Sequence, residues 1–387
     1  MPVLNRVSEM QEEVAGWRRH LHENPELLYD VFETSRFVAE KLREFGCDVV
    51  ETGIGRTGVV GIIKGNHGEG PVVGMRADMD ALPIFETSGV EWASKTPGKA
   101  HSCGHDGHTA MLLGAAQYLS ETRNFKGSVA VIFQPAEEGG AGALSMINDG
   151  LMEKFAISEV YGMHNSPGLP LGQFATRKGS VMAAADTFEI VVNGKGAHAA
   201  APHLGIDPVL IAAYIVIALQ SIVSREMDPL KSLVITVAST HGGEASNVIA
   251  NSVKMTGTVR TLLPETREFA EKRLTEVVQS TAIAHGATAD VNYQRGYPVV
   301  VNHDRETDFA ASVAGKVAGV GAVDLGIAPR MGAEDFSYML EKRPGAFMFI
   351  GNGDTAGLHH SAYDFNDDVL PYGISYWVTL AETALAA

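Results

Sequence analysis

The ten residues Ala100-His101-Ser102-Cys103-Gly104-His105-Asp106-Gly107-His108-Thr109 crowd three histidines, a cysteine and an aspartate into one short stretch. It reads as a glycine-containing loop ahead of an apolar helix over Thr109–Leu119. Cys103 and His105 are two positions apart, so a loop can aim both side chains at one point. Thiolate and imidazole together are good ligands for zinc and other first-row divalent ions. A buried or reactive cysteine beside a helix-capping Asp106 would account for the same residues, so this stretch alone leaves both readings open.

Three further segments share the pattern of a potential ligand at the end of an apolar run. Gln134-Pro135-Ala136-Glu137-Glu138-Gly139-Gly140 follows the run Val129–Phe133, and open α/β sheets place their sites where strands run out at their C-terminal ends. Two adjacent carboxylates can divide the labour of hydrolysis, one binding an ion and its neighbour holding a proton. A solvated acidic turn is the plain alternative. Val160–Met163 ends in His164, and Leu358-His359-His360-Ser361 follows a Gly351-Asn352-Gly353-Asp354 turn. Together these segments offer enough ligands for two ions.

Other chemistries lack their residues. Gly53-Ile54-Gly55-Arg56-Thr57-Gly58 has the glycine spacing of a dinucleotide fingerprint, but the apolar run Val59–Ile63 follows it. A strand there cannot present the helix N-terminus that a pyrophosphate needs, so these glycines read as turn residues. No G-x-S-x-G, P-loop or H-E-x-x-H pattern occurs. The net charge of −16 repels nucleic-acid phosphates and anionic lipid, so neither is expected as a partner. Two cysteines exclude a disulfide framework and a four-cysteine zinc site. The first residues show no basic segment leading into an apolar run, so no secretory signal is expected. The apolar stretch Val209–Leu219, 11 residues, is too short for a membrane span and reads as a buried helix. The expected location is cytoplasmic.

The elements that must hold these residues read as two interleaved patterns. Helices are expected over Ser8–His22 and Val31–Phe45, the second ended by Gly46. Val59–Ile63 and Val72–Met75 read as a hairpin across Gly65–Gly70. Helix Thr109–Leu119, strand Val129–Phe133, helix Ala141–Asn148 and strand Val160–Met163 then alternate as in a layered α/β sheet. From about Asp186 the texture changes. A strand through Phe188, Ile190 and Val192 leads to a helix over Pro208–Val223. Strands Leu233–Ala238 and Val248–Arg260, a helix Pro264–His285 and a strand to about Tyr293 follow. That β-α-β-β-α-β order is a split-βαβ unit. The organisation expected is an α/β catalytic domain from residues 1–182 and 299–387, interrupted by an inserted domain at 183–298.

In its motifs the chain resembles the M20 metallopeptidase family, in its amidohydrolase branch of hippurate hydrolases, N-acyl-amino-acid deacylases and auxin-conjugate hydrolases. The resemblance spans essentially the whole chain. It is carried by Arg18-Arg19-His20-Leu21-His22 with Pro25-Glu26-Leu27, by Arg76-Ala77-Asp78-Met79-Asp80-Ala81-Leu82-Pro83, and by Cys103–His108 and Gln134–Glu138. Gly194-Lys195-Gly196-Ala197-His198, Asn247-Val248-Ile249, Gly332-Ala333-Glu334-Asp335-Phe336 and His359-His360-Ser361 continue it.

The resemblance implies a mixed-sheet, zinc-peptidase-like α/β catalytic domain with an inserted ferredoxin-like lid and dimerisation domain. It implies two divalent metal ions (Mn, Zn, Co or Ni) held by Cys103, His105, Glu138, His164 and His360, with Glu137 as general base. Asp80 would orient a ligand from behind. His198 would stabilise the oxyanion, and Asn247, Arg260 and Arg295 would contact substrate, a surface ion pair being the plain reading of each arginine. The implied reaction is hydrolysis of a small N-acyl amino acid such as hippurate, by a homodimer or homotetramer joined through the inserted domain. Another activity of the family remains open: a diaminopimelate deacetylase, an aminoacylase or a dipeptidase. So does a non-catalytic metal-binding protein, against which Glu137, a carboxylate beyond the ligand set, argues.

Overall fold

The computed structural model describes residues 4–386. Its chain divides into two compact units, one formed by Met1–Gly179, Val301–Ala328 and Asp335–Ala387, the other by Ser180–Val300 and Pro329–Glu334.

In the first unit α1 (Asn5–Glu23) and α2 (Phe32–Glu44) precede β1 (Val49–Ile54), β2 (Gly58–Lys64) and β3 (Val72–Asp78). Then come α3 (His105–Thr122), β4 (Ser128–Gln134), β5 (Ile157–Ser166) and β6 (Phe174–Ala175). Among the described residues, eight strands make one sheet in the order β1, β2, β4, β3, β5, Gly345–Gly351, β6, Val323–Asp324. Its centre is parallel: β3 runs parallel to β4 and β5, and Gly345–Gly351 parallel to β5. The β1–β2 and β2–β4 pairs are antiparallel, so the sheet is mixed. The central strands are buried along nearly their whole length. That is why they read as continuous apolar runs rather than alternating ones. Helices α1 and α3 and the helix Leu370–Ala384 contribute Val14, Met111, Leu112, Ile374 and Trp377 to the core against this sheet.

The hairpin expected across Gly65–Gly70 does not form, because β4 lies between β2 and β3. The connecting residues bond instead to the chain entering β4. Gly65 N–H donates to Gly127 O, His67 N–H to Phe125 O and Gly127 N–H to Gly68 O. Both strands bury their two faces, and a strand with two apolar faces gains more from two sheet neighbours than from the edge of a hairpin.

In the second unit the four strands Ala184–Asn193, Leu233–His241, Ser252–Thr261 and Thr288–Arg295 form one antiparallel sheet. Its order is Leu233–His241, Ser252–Thr261, Ala184–Asn193, Thr288–Arg295. The helices Pro208–Ser221 and Pro264–Ala284 bury Ile211, Ile215, Leu219, Leu274 and Val278 with Phe188, Ile190 and Met255. The expected strand Val248–Arg260 is two strands, Val248–Ile249 and Ser252–Thr261. The first of these pairs with Ala197–His198. The helix from Pro208 continues as a π-turn to Glu226, making 19 residues in all, long and apolar enough by composition to cross a membrane, with 33% of that stretch buried. It is therefore longer and more exposed than the buried helix expected over Pro208–Val223.

Candidate metal centre

The parallel strands β3, β4 and β5 bring their C-terminal ends together, and the chemistry-bearing residues leave from those ends. Asp78 closes β3, Glu137 and Glu138 follow β4, and His164 lies within β5. The fourth contribution comes from α3, which begins at His105, four residues earlier than expected. Gly104 makes this possible. Its φ is +90°, and a Cβ there would lie 2.4 Å from Asn165 Oδ1 and 2.6 Å from Tyr363 Oη. A glycine-only conformation thus ends the loop abruptly and puts Cys103 and His105 on either side of the turn.

The ligand atoms of Cys103, His105 and His164 lie within 4.8 Å of one another. So do those of Cys103, Glu138 and His359, and those of His105, Glu137 and Glu138. Cys103 Sγ is 3.4 Å from His164 Nε2. His164 Nδ1 is 2.7 Å from the carbonyl of Asn165. A carbonyl only accepts, so Nδ1 carries the hydrogen and Nε2 points its lone pair at the cluster, as a metal-binding imidazole requires.

Four of the five expected ligands therefore converge: Cys103, His105, Glu138 and His164. The fifth does not. His360 is exposed and its Nδ1 accepts the amide of Ala362. The neighbouring His359 instead sets its Nε2 3.1 Å from Glu138 Oε1. The backbone at His359 has φ +62° and its amide donates to Ser102 O at 2.7 Å. Adjacent histidines point apart, and this left-handed residue turns the first inward. Residue type and spacing are identical for the two, so only the backbone conformation separates them.

Asp80 acts on both glutamates and lies beside the His105 imidazole. Its two carboxylate oxygens accept the amides of Glu137 at 2.9 Å and Glu138 at 3.1 Å. Asp80 Oδ1 is 3.5 Å from His105 Nδ1. One buried carboxylate thus orients the turn bearing both candidate acids. Asp78, for which the motif supplied no role, accepts from His108 Nδ1 at 2.6 Å and from Arg76 Nη1 at 2.7 Å. With Nδ1 protonated, His108 Nε2 accepts the Asn165 amide at 3.0 Å. Nothing in the spacing marks Asp78 and His108 as a pair; the packing of the first turn of α3 beside the end of β3 brings them together.

The electrostatics favour a cation. Burial alone would strip the charge from His105, yet Asp78, Asp80 and Glu138 outweigh it and raise the imidazole to about 10. Neither ring nitrogen of His105 has a hydrogen-bond partner, although the side chain is buried. A buried imidazole without partners is costly, and its position among carboxylates is what metal ligation resolves. Burial, with Glu138 and Glu137 nearby, pushes the Cys103 thiol up. A thiolate there needs a positive partner, and a coordinated cation supplies one. The donors, one thiol, three imidazoles and a carboxylate with a second carboxylate adjacent, fit first-row divalent ions.

The second unit holds the remaining expected residues. His198 and Asn247 adjoin: His198 pairs with Val248, and the Ala199 amide donates to Asn247 O at 2.9 Å. His198 is exposed, and its Nδ1 accepts the Ala200 amide at 3.0 Å. Arg260 donates from Nη1 to the Val259 carbonyl at 3.1 Å. Arg295 is engaged by Glu271, Nε to Oε2 at 2.7 Å, which is the surface ion pair.

Comparison with known proteins identifies the family. Residues 74–383 match the model for peptidase family M20/M25/M40. The chain is 40% identical to the hippurate hydrolase of Campylobacter jejuni over 381 residues, covering 98% of this chain and 99% of that one. It is 41% identical to the N-acetyl-L-cysteine deacetylase of Bacillus subtilis, covering 94% and 86%. Among solved structures it superposes on the Bacillus subtilis YXEP protein, described as a dinuclear metal-binding peptidase of family M20. The TM-score is 0.86 and the identity 34%, over 98% of this chain and 99% of that one. The fold, the buried cluster at the strand ends and the relatives coincide: the chain belongs to peptidase family M20/M25/M40.

Proposed function

We propose that this protein is a metal-dependent amidohydrolase that cleaves N-acyl amino acids of the hippurate type to a carboxylic acid and a free amino acid. The observation that carries the reading is the pair Glu137–Glu138 seated on Asp80 beside Cys103, His105, His164 and His359. Ligands alone make a binding site; an extra carboxylate at the same point supplies acid–base chemistry. The hippurate hydrolase and N-acetyl-L-cysteine deacetylase relatives support the substrate class.

Cys103, His105, Glu138, His164 and His359 would hold two divalent ions, which polarise the amide carbonyl and lower the pKa of the attacking water when bound. Mn, Zn, Co and Ni all suit this mixed donor set. Glu137 takes the proton from the attacking water as the C–O bond forms. It then delivers that proton to the amide nitrogen as the C–N bond breaks, so the amine leaves neutral, the acyl half leaves as the carboxylic acid with water's other proton, and Glu137 is again a carboxylate. Asp80, by fixing the amides of both glutamates, keeps the proton carrier at constant reach. His198 is assigned to the oxyanion as a hydrogen-bond donor, an effect typically worth about 3 kcal/mol. Asn247 is assigned to the substrate and Arg260 to its carboxylate. Arg295, occupied by Glu271, is the weaker choice.

The inserted unit is assigned to self-association. Its helix from Pro208 leaves Val209, Leu210, Tyr214 and Ile217 exposed, the last at 69%, an apolar face that a second copy would cover. Sedimentation of the wild type against Ile217→Glu tests this, a dimer that splits to monomer being the expected result. A cytoplasmic location accords with two free cysteines.

The test of the reaction is a panel of N-benzoyl-glycine, N-acetyl amino acids and dipeptides, each with Mn, Co or Zn, read by release of free amine. Metal-dependent hydrolysis of the acyl amino acids is expected. Cleavage of the dipeptides alone would reassign the substrate class, and no cleavage in metal-loaded protein would refute the enzyme reading.

A further inference from the structure

The segment Arg18–His22 is absorbed neither by the ligand set nor by the mechanism, yet two of its side chains, Arg18 and His22, are buried. Arg18 is 0% exposed. Its Nη1 donates to Asp364 Oδ1 at 3.1 Å and lies 3.6 Å from Asp106 Oδ2, while Nε donates to Asp367 Oδ1 at 2.7 Å. Arg19 takes the other oxygen of Asp367, from Nε at 2.9 Å. The Trp92 indole N–H reaches Asp364 Oδ1 at 3.2 Å, and its ring lies 4.0 Å from the Arg19 guanidinium. His22 completes the junction, Nδ1 to Asp106 Oδ2 at 2.8 Å and Nε2 to Glu86 Oε1 at 3.2 Å.

The partners of Arg18 fall in two segments remote from each other in the chain. Asp106 directly follows His105 in the first turn of α3. Asp364 and Asp367 lie just beyond His359, whose side chain is 54% exposed and whose amide donates to Ser102 O at 2.7 Å. A guanidinium is planar and its donors form a rigid fork. Buried among three carboxylates, it sets the distance and the angle between the chains that carry them.

We propose that Arg18 is a positioning residue of the metal centre: its buried fork locks the segment bearing Cys103 and His105 to the segment bearing His359. This rests on the metal-centre reading above. The cluster on this account is shaped before an ion arrives, by a helix that contributes no ligand.

Two variants test it: Arg18→Lys keeps the charge and loses the fork, and Asp364→Asn neutralises one of the two carboxylates, Asp364 and Asp367, through which Arg18 holds the His359 segment. Metal-free protein is titrated with Mn²⁺ against a chromophoric chelator, Co²⁺-loaded protein is examined by d–d absorption, and metal-free thermal midpoints are recorded. The wild type should take two ions. Each variant should bind one of them about 10–100-fold more weakly, the loss usual when a ligand's support is removed, with a shifted Co²⁺ spectrum. The metal-free midpoint of Asp364→Asn should stay within about 2 °C of wild type. If Arg18→Lys does not fold, Asp364→Asn carries the test alone. Wild-type affinity and spectrum in the folded variants would overturn the proposal, as would a loss shared equally by both ions with a collapsed midpoint. A wild-type chain that takes no ion would overturn the functional reading and this inference with it.

Discussion

His359 holds its Nε2 3.1 Å from Glu138 Oε1, joining a residue near the end of the chain to one that follows a central strand. His360 turns the other way and is spent on the amide of Ala362. The two histidines therefore separate cleanly by substitution. His359→Ala should weaken binding of one ion by at least about 10-fold and depress turnover with it. His360→Ala should leave metal content and kcat within about 3-fold of wild type. Metal analysis after dialysis, beside kcat, decides between them. The reverse pattern would restore His360 as the ligand.

Gly104 is a position where the fold leaves one choice. Its φ of +90° and the 2.4 Å approach of Asn165 Oδ1 mean that Gly104→Ala must strain the backbone and displace a buried side chain at once. A loss of about 2–4 kcal/mol is expected. Because the same turn orients Cys103 and His105, metal affinity should fall as well. Urea unfolding of the metal-free protein gives the first number and metal titration the second. A stable variant with intact metal binding would show that the turn is not what aims these ligands.

Sequence and structure part company where contacts are set by neighbours in space. Cys103, His105, Glu137, Glu138 and His164 were legible because each stands at a glycine turn or at the end of an apolar run, where local residues dictate the geometry. The split-βαβ order was legible for the same reason, from alternating periods. Strand adjacency was not: β4 lies between β2 and β3, and sequence order favoured the hairpin. Asp78 and His108 were missed because one closes β3 and the other lies in the first turn of α3, and only the packing of that helix against that strand pairs them. Between His359 and His360 there was no compositional signal at all, only a left-handed backbone angle.

His22 gives the metal-free protein a defined pH signature. Burial disfavours its charge, but the Asp106 and Glu86 carboxylates outweigh this and raise it to about 10 from an ordinary 6.5. A group whose folded pKa is raised contributes stability that is complete below its unfolded pKa and disappears as pH rises through the folded one. His22→Gln should therefore destabilise the protein by about 5 kcal/mol near pH 6, on the scale of ~1.4 kcal/mol per pKa unit. The gap to wild type should narrow steadily towards pH 10. Urea midpoints at pH 6, 8 and 10 measure it. A difference that is flat across that range would mean His22 is neutral where it stands.

The central claim is that Glu137 moves the proton at a site built for two ions. It is tested most directly by adding Mn²⁺ in steps, from none to three equivalents, to chelator-treated wild type and Glu137→Gln, with glycine release from hippurate and bound metal measured at each step. The account predicts no release without metal and full activity by two bound equivalents. It also predicts that Glu137→Gln binds the same two ions while turning over about 10²–10⁴-fold more slowly, the usual contribution of a general base. Turnover in the metal-free wild type, or undiminished turnover in Glu137→Gln, would contradict it.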